Sequence, residues 1–170
     1  MRDGRIKRIH IFDFDGTIVD TLDEQKGKEV WKEKTGIDWP HIGWWSKPES
    51  LNMKIFDFKV IPHIYKMYLE SMSMPDTMVV LVTGRLKKLE REVKIVCNDL
   101  NLSFDEYKLN TGGPTDKFKM RVFEDYLKEY PHLEEMVIID DRVDHLPIWR
   151  EWAKENSGLG LKIKVIDSKI

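Results

Sequence analysis

Ile9-His10-Ile11-Phe12-Asp13-Phe14-Asp15-Gly16-Thr17 is the stretch on which the fold turns. Residues 9–14 are apolar at nearly every position, which reads as a strand covered on both faces and therefore as part of a parallel sheet. The run passes without a break into two carboxylates, a glycine and a hydroxyl. An open α/β sheet presents its reactive groups in this way, at the carboxyl ends of its strands. Three more short apolar runs fit the same sheet: residues 78–82, residues 136–139, and the alternating Leu161, Ile163 and Val165. Lys162 and Lys164 alternate out of the last run and suit a sheet edge. A weaker strand is expected at 107–109.

Helical periodicity fills the gaps. Leu86, Leu89, Val93, Val96 and Leu100 recur at three and four residues, as do Phe118, Val122, Tyr126 and Tyr130, so each set forms one apolar stripe. Asp144 ahead of Leu146, Pro147 and Trp149 reads as an N-cap with proline in the first turn. Strands alternating with helices imply right-handed crossovers and the doubly wound parallel α/β class. Residues 20–76 break this rhythm. Thr21 and Glu24 are spaced as a capping box for a helix through Val30 and Trp31, a turn-rich stretch follows at 36–48, and a second helix is expected at 61–72. Trp39, Trp44, Trp45 and Phe56 suggest a small aromatic insertion packed beside the sheet, and a stacking role on bases is weighed against simple core packing.

A length of 170 residues suits one domain, with residues 20–76 containing a flap and the insertion. Lys and Arg number 28 against 30 Asp and Glu, so no global charge draws the chain to nucleic acid or to a membrane surface, and any phosphate-binding surface has to be local. Cys97 is the single cysteine, which excludes an intrachain disulfide and a Cys-rich zinc site. His41, His63 and His145 are scattered, and no zinc site is expected from them. The basic start Met1-Arg2-Asp3-Gly4-Arg5 lacks the apolar segment of a signal peptide, and no run of about 18 apolar residues is present, so a cytoplasmic location is expected.

Polar clusters follow the strands on cue: Asp13 to Thr17, Thr83-Gly84-Arg85, Thr115-Asp116-Lys117 and Asp140-Asp141-Arg142. Clustered carboxylates without His or Cys are ligands for a hard cation, and Mg²⁺ favours a substrate phosphate as a further ligand. Thr, Lys and Arg at the same edge suit the charge that phosphoryl transfer spreads over its equatorial oxygens. An aspartate in this setting can attack phosphorus to give an aspartyl-phosphate, and a second carboxylate two residues on can protonate the leaving oxygen and then activate water.

These clusters, in this order, resemble the four motifs of the haloacid dehalogenase (HAD) superfamily of phosphohydrolases. The resemblance implies a HAD-type Rossmann-like core with Asp13 as nucleophile, Asp15 as general acid/base and Thr83 on the phosphate. Lys117 is implied as the lysine that steadies phosphate and nucleophile, and Asp140 and Asp141 as the acidic pair. Mg²⁺ is then held by Asp13, the Asp15 backbone carbonyl and Asp141, with Asp140 supporting. Gly16, Thr17, Gly84, Arg85 and Arg142 are expected at the substrate.

Finer matches narrow the substrate. Ile139-Asp140-Asp141-Arg142 with Ile148-Trp149-Arg150 and Thr83-Gly84-Arg85 resembles the phosphatase domain of phage polynucleotide kinase-phosphatase. Gly43-Trp44-Trp45, Pro75-Asp76, residues 80–85 and residues 130–135 are similar to the HAD-like domains of Swiss army knife RNA repair proteins. Both relatives imply a Mg²⁺-dependent phosphomonoesterase acting on the 3′-phosphate, or 2′,3′-cyclic phosphate, of an RNA or DNA end. A repair enzyme supplying kinase or ligase activity is the implied partner, since no Gly-x-x-x-x-Gly-Lys-Ser/Thr loop is present. Lys87, Arg91 and Lys94 at spacings of four and three offer a basic stripe for the strand. A phosphatase of small nucleotides or sugar phosphates, and a binding module without turnover, are the competing readings.

Overall fold

The computed structural model describes residues 5–170; the reading of Met1 to Gly4 lies outside the described residues. Five strands form one parallel sheet: β1 (Arg8–Phe12), β2 (Thr77–Leu86), β3 (Glu106–Asn110), β4 (Glu135–Asp140) and β5 (Lys162–Asp167). Their spatial order is β3-β2-β1-β4-β5. The expected edge strand is therefore at an edge, and the strand that carries the Asp13 loop is central, which makes β1 apolar on both faces. Ile9 and Ile11 of β1 join Val80, Val82, Met136 and Ile138 on one face, under α4 (Thr115–Glu129) and α5 (Leu146–Asn156). Phe12, Val79, Leu81, Val137 and Ile139 face the opposite layer, with α2 (Pro62–Ser73) and α3 (Glu90–Asp99).

The aromatic insertion packs into that second layer. Trp31 of α1 (Glu24–Thr35), Trp44, Phe56 and Phe58 belong to the same buried cluster as Phe12 and Phe14. Gly27 sits in mid-helix on α1, where glycine costs stability, because a Cβ there would lie 2.2 Å from the Trp44 ring. Trp39 packs against Trp44 with centroids 4.7 Å apart and against Trp31 at 5.0 Å.

Three local expectations differ from the fold, each for a visible reason. Helix α1 is capped by Asp23, whose side chain accepts from the Lys26 amide at 2.8 Å, because the Thr21 hydroxyl is engaged with Asp15. At α5, His145 occupies the cap position and Asp144 pairs with Arg142 instead, while Pro147 is in the first turn as expected. Strand β2 continues to Leu86 with a register shift between Thr83 and Leu86, and a 3₁₀ turn at Lys87–Leu89 precedes α3. Lys87 therefore lies outside α3, and Glu90 pairs with it at 2.8 Å and approaches Lys94 at 3.6 Å, so the basic stripe is broken and partly neutralised. Among the described residues no helix is long and apolar enough to cross a membrane.

Candidate active site

The sheet ends at one cleft of about 880 Å³, and the loops after β1, β2 and β4 meet there. The Asp13 amide extends the β1 ladder by donating to the Ile139 carbonyl at 3.0 Å, which fixes the carboxylate at the strand end. The chain then turns sharply: the Thr17 and Val19 amides both donate to the Phe14 carbonyl, and Gly16 adopts φ +70°. A Cβ on Gly16 would lie 2.6 Å from Asp141 Oδ2, so glycine is required for this loop to pass against the acidic motif. Gly84 has a similar steric role, since a Cβ there would lie 2.6 Å from Thr115 Cγ2 at the start of α4.

Asp13 is buried and accepts from the Thr17 hydroxyl at 3.0 Å and from Lys119 Nζ at 2.9 Å. Lys119 also donates to Asp140 Oδ2 at 3.1 Å. The lysine beside Asp13 is thus Lys119 and not Lys117. Lys117 is exposed and does not border the cleft, because α4 turns it away from the sheet. Asp140 is a saturated acceptor: Lys119 and Trp149 Nε1 donate to one oxygen, and the Asp141 and Arg142 amides to the other. It orients the acidic motif, leaving Asp141 to face the cleft.

Burial pushes the Asp13 carboxyl well above the ordinary carboxylate range, and Asp140 and Asp141 reinforce this against the opposing pull of Lys119. Burial and the Asp140 charge likewise raise Asp141. Burial also works against the charged form of Asp140, but Lys119 and its hydrogen bonds win and lower it. For Lys119 the burial penalty is outweighed by the attraction of Asp13 and Asp140, which hold it protonated. Ligand oxygens of Asp13, Asp140 and Asp141 lie within 4.8 Å of one another with one buried lysine among them, a surplus of negative charge that fits a hard dication.

Asp15 is held apart from this cluster. Arg85 grips it through two bonds, Nε to Oδ2 at 2.9 Å and Nη2 to Oδ1 at 2.7 Å, and Thr21 donates to Oδ1 at 2.8 Å. Arg85, expected at the substrate, borders the cleft. Its guanidinium is buried, with Nη1 donating to the Trp45 carbonyl at 2.9 Å and to Ser50 Oγ at 2.7 Å. Thr83 is buried at the cleft wall and accepts from the Arg85 amide at 3.1 Å. Arg142 borders the cleft and pairs with Asp144 at 2.7 Å, which raises its pKa. His63, Ser168 and Lys169 complete the wall, the last with Nζ 3.8 Å from Asp141. Sequence reasoning assigned none of them to the site: Ser168 and Lys169 follow β5, which carries no recognisable motif, and His63 is on α2, far in sequence from every motif.

The chain matches the model of HAD domain family 1 in Swiss Army Knife RNA repair proteins over residues 32–168. That match begins after Asp13 to Thr17, whose assignment therefore rests on the geometry above. An uncharacterized protein of Saccharomyces cerevisiae, YMR265C, is 28% identical over 86% of this chain. The chain spans only 37% of the length of that relative. A haloacid dehalogenase-like family hydrolase from Streptococcus pneumoniae, SP0104, superposes with a TM-score of 0.51 over 86% of this chain and 80% of its own, at 16% identity, a likeness of fold. With the family match covering most of the sequence and the fold of a haloacid dehalogenase-like structure beside it, the chain belongs to the HAD domain family 1 of Swiss Army Knife RNA repair proteins.

Proposed function

We propose that this chain is a Mg²⁺-dependent phosphomonoesterase that works through an aspartyl-phosphate and clears 3′-phosphate or 2′,3′-cyclic phosphate from nucleic-acid ends. The observation that carries the reading is Asp13: a buried carboxylate fixed at the end of the central strand between Thr17 and Lys119, in a cleft that also contains Asp15 and Asp141. An Asp13 oxygen attacks phosphorus in line, and the bond from phosphorus to the leaving oxygen breaks as Asp15 gives that oxygen its proton. Asp15 then takes a proton from water, the water oxygen attacks the aspartyl-phosphate, and the carboxylate of Asp13 is released. Thr83 and Lys119 stand where they can offset charge on the phosphoryl oxygens. Held by Asp13, Asp141 and the Asp15 carbonyl, with Asp140 orienting, Mg²⁺ would supply charge neutralisation at the phosphoryl group.

Support for a nucleic-acid end comes from the family's occurrence in RNA repair proteins and from the openness of the site. Between β2 and α4 the described chain contains only a 3₁₀ turn, α3, β3 and short loops, so no further insertion there covers the cleft. The broken stripe of Lys87, Arg91 and Lys94 adds little. A repair enzyme supplying kinase or ligase activity is the partner this reading calls for, and a cytoplasmic location goes with it. The test is phosphate release in Mg²⁺ from matched 3′- and 5′-phosphorylated oligonucleotides, mononucleotides and sugar phosphates, with Asp13→Asn as the blank. Preference for the 3′-phosphorylated strand is expected. Turnover of sugar phosphates alone would move the protein to small-metabolite chemistry, and oligonucleotide binding with no hydrolysis would make it a binding module.

A further inference from the structure

We infer that Trp45 is the stacking platform for the nucleobase next to the scissile phosphate and so sets the enzyme's preference for nucleoside over non-nucleoside phosphates. The inference rests on the reading just given and names a residue and a ligand chemistry for it. Three observations and one general property of stacking converge on Trp45. First, the three tryptophans of the insertion part company: Trp44 is almost fully buried and Trp39 packs against Trp31 and Trp44, whereas Trp45 is 46% exposed and borders the catalytic cleft. Large exposed indoles are uncommon, and one on the wall of a reactive cleft is a binding feature before it is a packing one.

Second, the ring is anchored. The Arg85 guanidinium carbon lies 5.0 Å from its centroid, a cation–π contact, and the Trp45 carbonyl accepts from Arg85 Nη1 at 2.9 Å. A platform held at both backbone and ring loses little freedom when a ligand stacks on it. Third, the same arginine grips Asp15 through Nε and Nη2. Asp15 is the group that meets the leaving oxygen, so the leaving alcohol has to approach the side of the cleft where Arg85 and Trp45 stand. For a 3′-phosphate that alcohol is the nucleoside itself, with its base one ribose beyond the reacting oxygen. Fourth, stacking suits an enzyme for many sequences, because every base presents a π-face.

The experiment compares two 3′-phosphorylated oligonucleotides of one sequence, one ending in a normal nucleotide and the other in an abasic nucleotide, with wild type, Trp45→Phe and Trp45→Ala. Both substrates share the leaving oxygen and the phosphate, so their kcat/KM ratio isolates the terminal base. In wild type the ratio should favour the base-bearing end by about 5- to 150-fold, the range that about 1–3 kcal/mol of stacking implies at 1.36 kcal/mol per tenfold. Trp45→Ala should collapse the ratio towards one, through KM more than kcat, and Trp45→Phe should restore most of it. Equal losses on both substrates would overturn the inference by making Trp45 a mere support for Arg85, and an unchanged ratio would overturn it directly. Both results leave 3′-phosphatase activity in place. Absence of activity on both oligonucleotides in wild type would overturn the functional reading, and this inference with it.

Discussion

Lys119→Met separates the geometry of this site from the motif spacing that pointed to Lys117. Lys119 Nζ lies 2.9 Å from Asp13 and 3.1 Å from Asp140, and all three groups are buried. Removing the cation leaves two desolvated carboxylates facing each other, and breaking a buried pair from one side costs about 3–5 kcal/mol. With a urea slope of about 2 kcal/mol/M, typical for a domain of this size, the midpoint should fall by about 1.5–2.5 M. In the proposed mechanism the same cation offsets charge on the transferring phosphoryl group, and the loss of one such preorganised donor is expected to lower kcat by about 10²- to 10³-fold. Lys117→Met removes an exposed side chain that does not border the cleft, so its effect on stability should stay within about 0.5 kcal/mol and activity within about twofold. The assays are urea unfolding followed by circular dichroism, and phosphate release from p-nitrophenyl phosphate in Mg²⁺ under conditions where each variant is folded. Lys119→Gln guards against a peculiarity of the thioether. A Lys119→Met enzyme with near-normal turnover, or a Lys117→Met enzyme without it, would refute the placement of the buried lysine.

Gly27→Ala should destabilise by about 1–3 kcal/mol despite the better helix propensity of alanine, because the new methyl meets the buried Trp44 ring; a higher thermal midpoint would contradict that packing. Cys97 is buried with its thiol pushed up to about 12, so iodoacetamide should modify it only after unfolding, as read by mass spectrometry with and without urea. Burial, followed by the Arg142 charge, depresses His145 below the ordinary imidazole value of 6.5. The unfolded chain then binds the proton more readily, so the stability this residue contributes is complete above pH 6.5 and is lost as pH falls below it. The stability difference between wild type and His145→Gln should accordingly shrink between pH 7 and pH 5, on the order of the imidazole titration range, and a constant difference would count against it.

Much of the fold was legible because period alone decides it. The near-continuous apolar runs of β1, β2 and β4 fit only strands covered on both faces, and their alternation splits cleanly between the two clusters: Ile9 and Ile11 to one, Phe12 to the other. Local ends were less legible. Thr21 and Asp144 both have the chemistry of a cap, and in both cases a charged or ionisable partner in the site or beside it takes the side chain instead. Nothing in the sequence announces that competition, because Asp15 and Arg142 reach these residues only once the loops have folded. Arg85 shows the same limit. Its position after Thr83 marks it as functional, but its partners Asp15, Trp45 and Ser50 come from distant segments.

The lysine, by contrast, could have been found by applying the helical wheel consistently. At about 100° per residue, Phe118, Val122, Phe123 and Tyr126 fall at roughly 0°, 40°, 140° and 80°, and all four are buried. Lys119 falls at about 100°, inside that arc, whereas Lys117 falls at about −100°, on the far side. A lysine inside an apolar stripe is costly to bury unless a carboxylate waits for it, so the stripe both locates Lys119 and predicts that its partners are acidic. Helix α4 begins at the strand-end cleft, with Thr115 on its wall, and that cleft is acidic. Asp13 directly follows β1 and Asp140 ends β4, and the two strands are hydrogen-bonded neighbours. Helix periodicity and strand order, two readings made independently, therefore intersect at one point, the contact between Lys119 and Asp13, the carboxylate proposed to attack phosphorus.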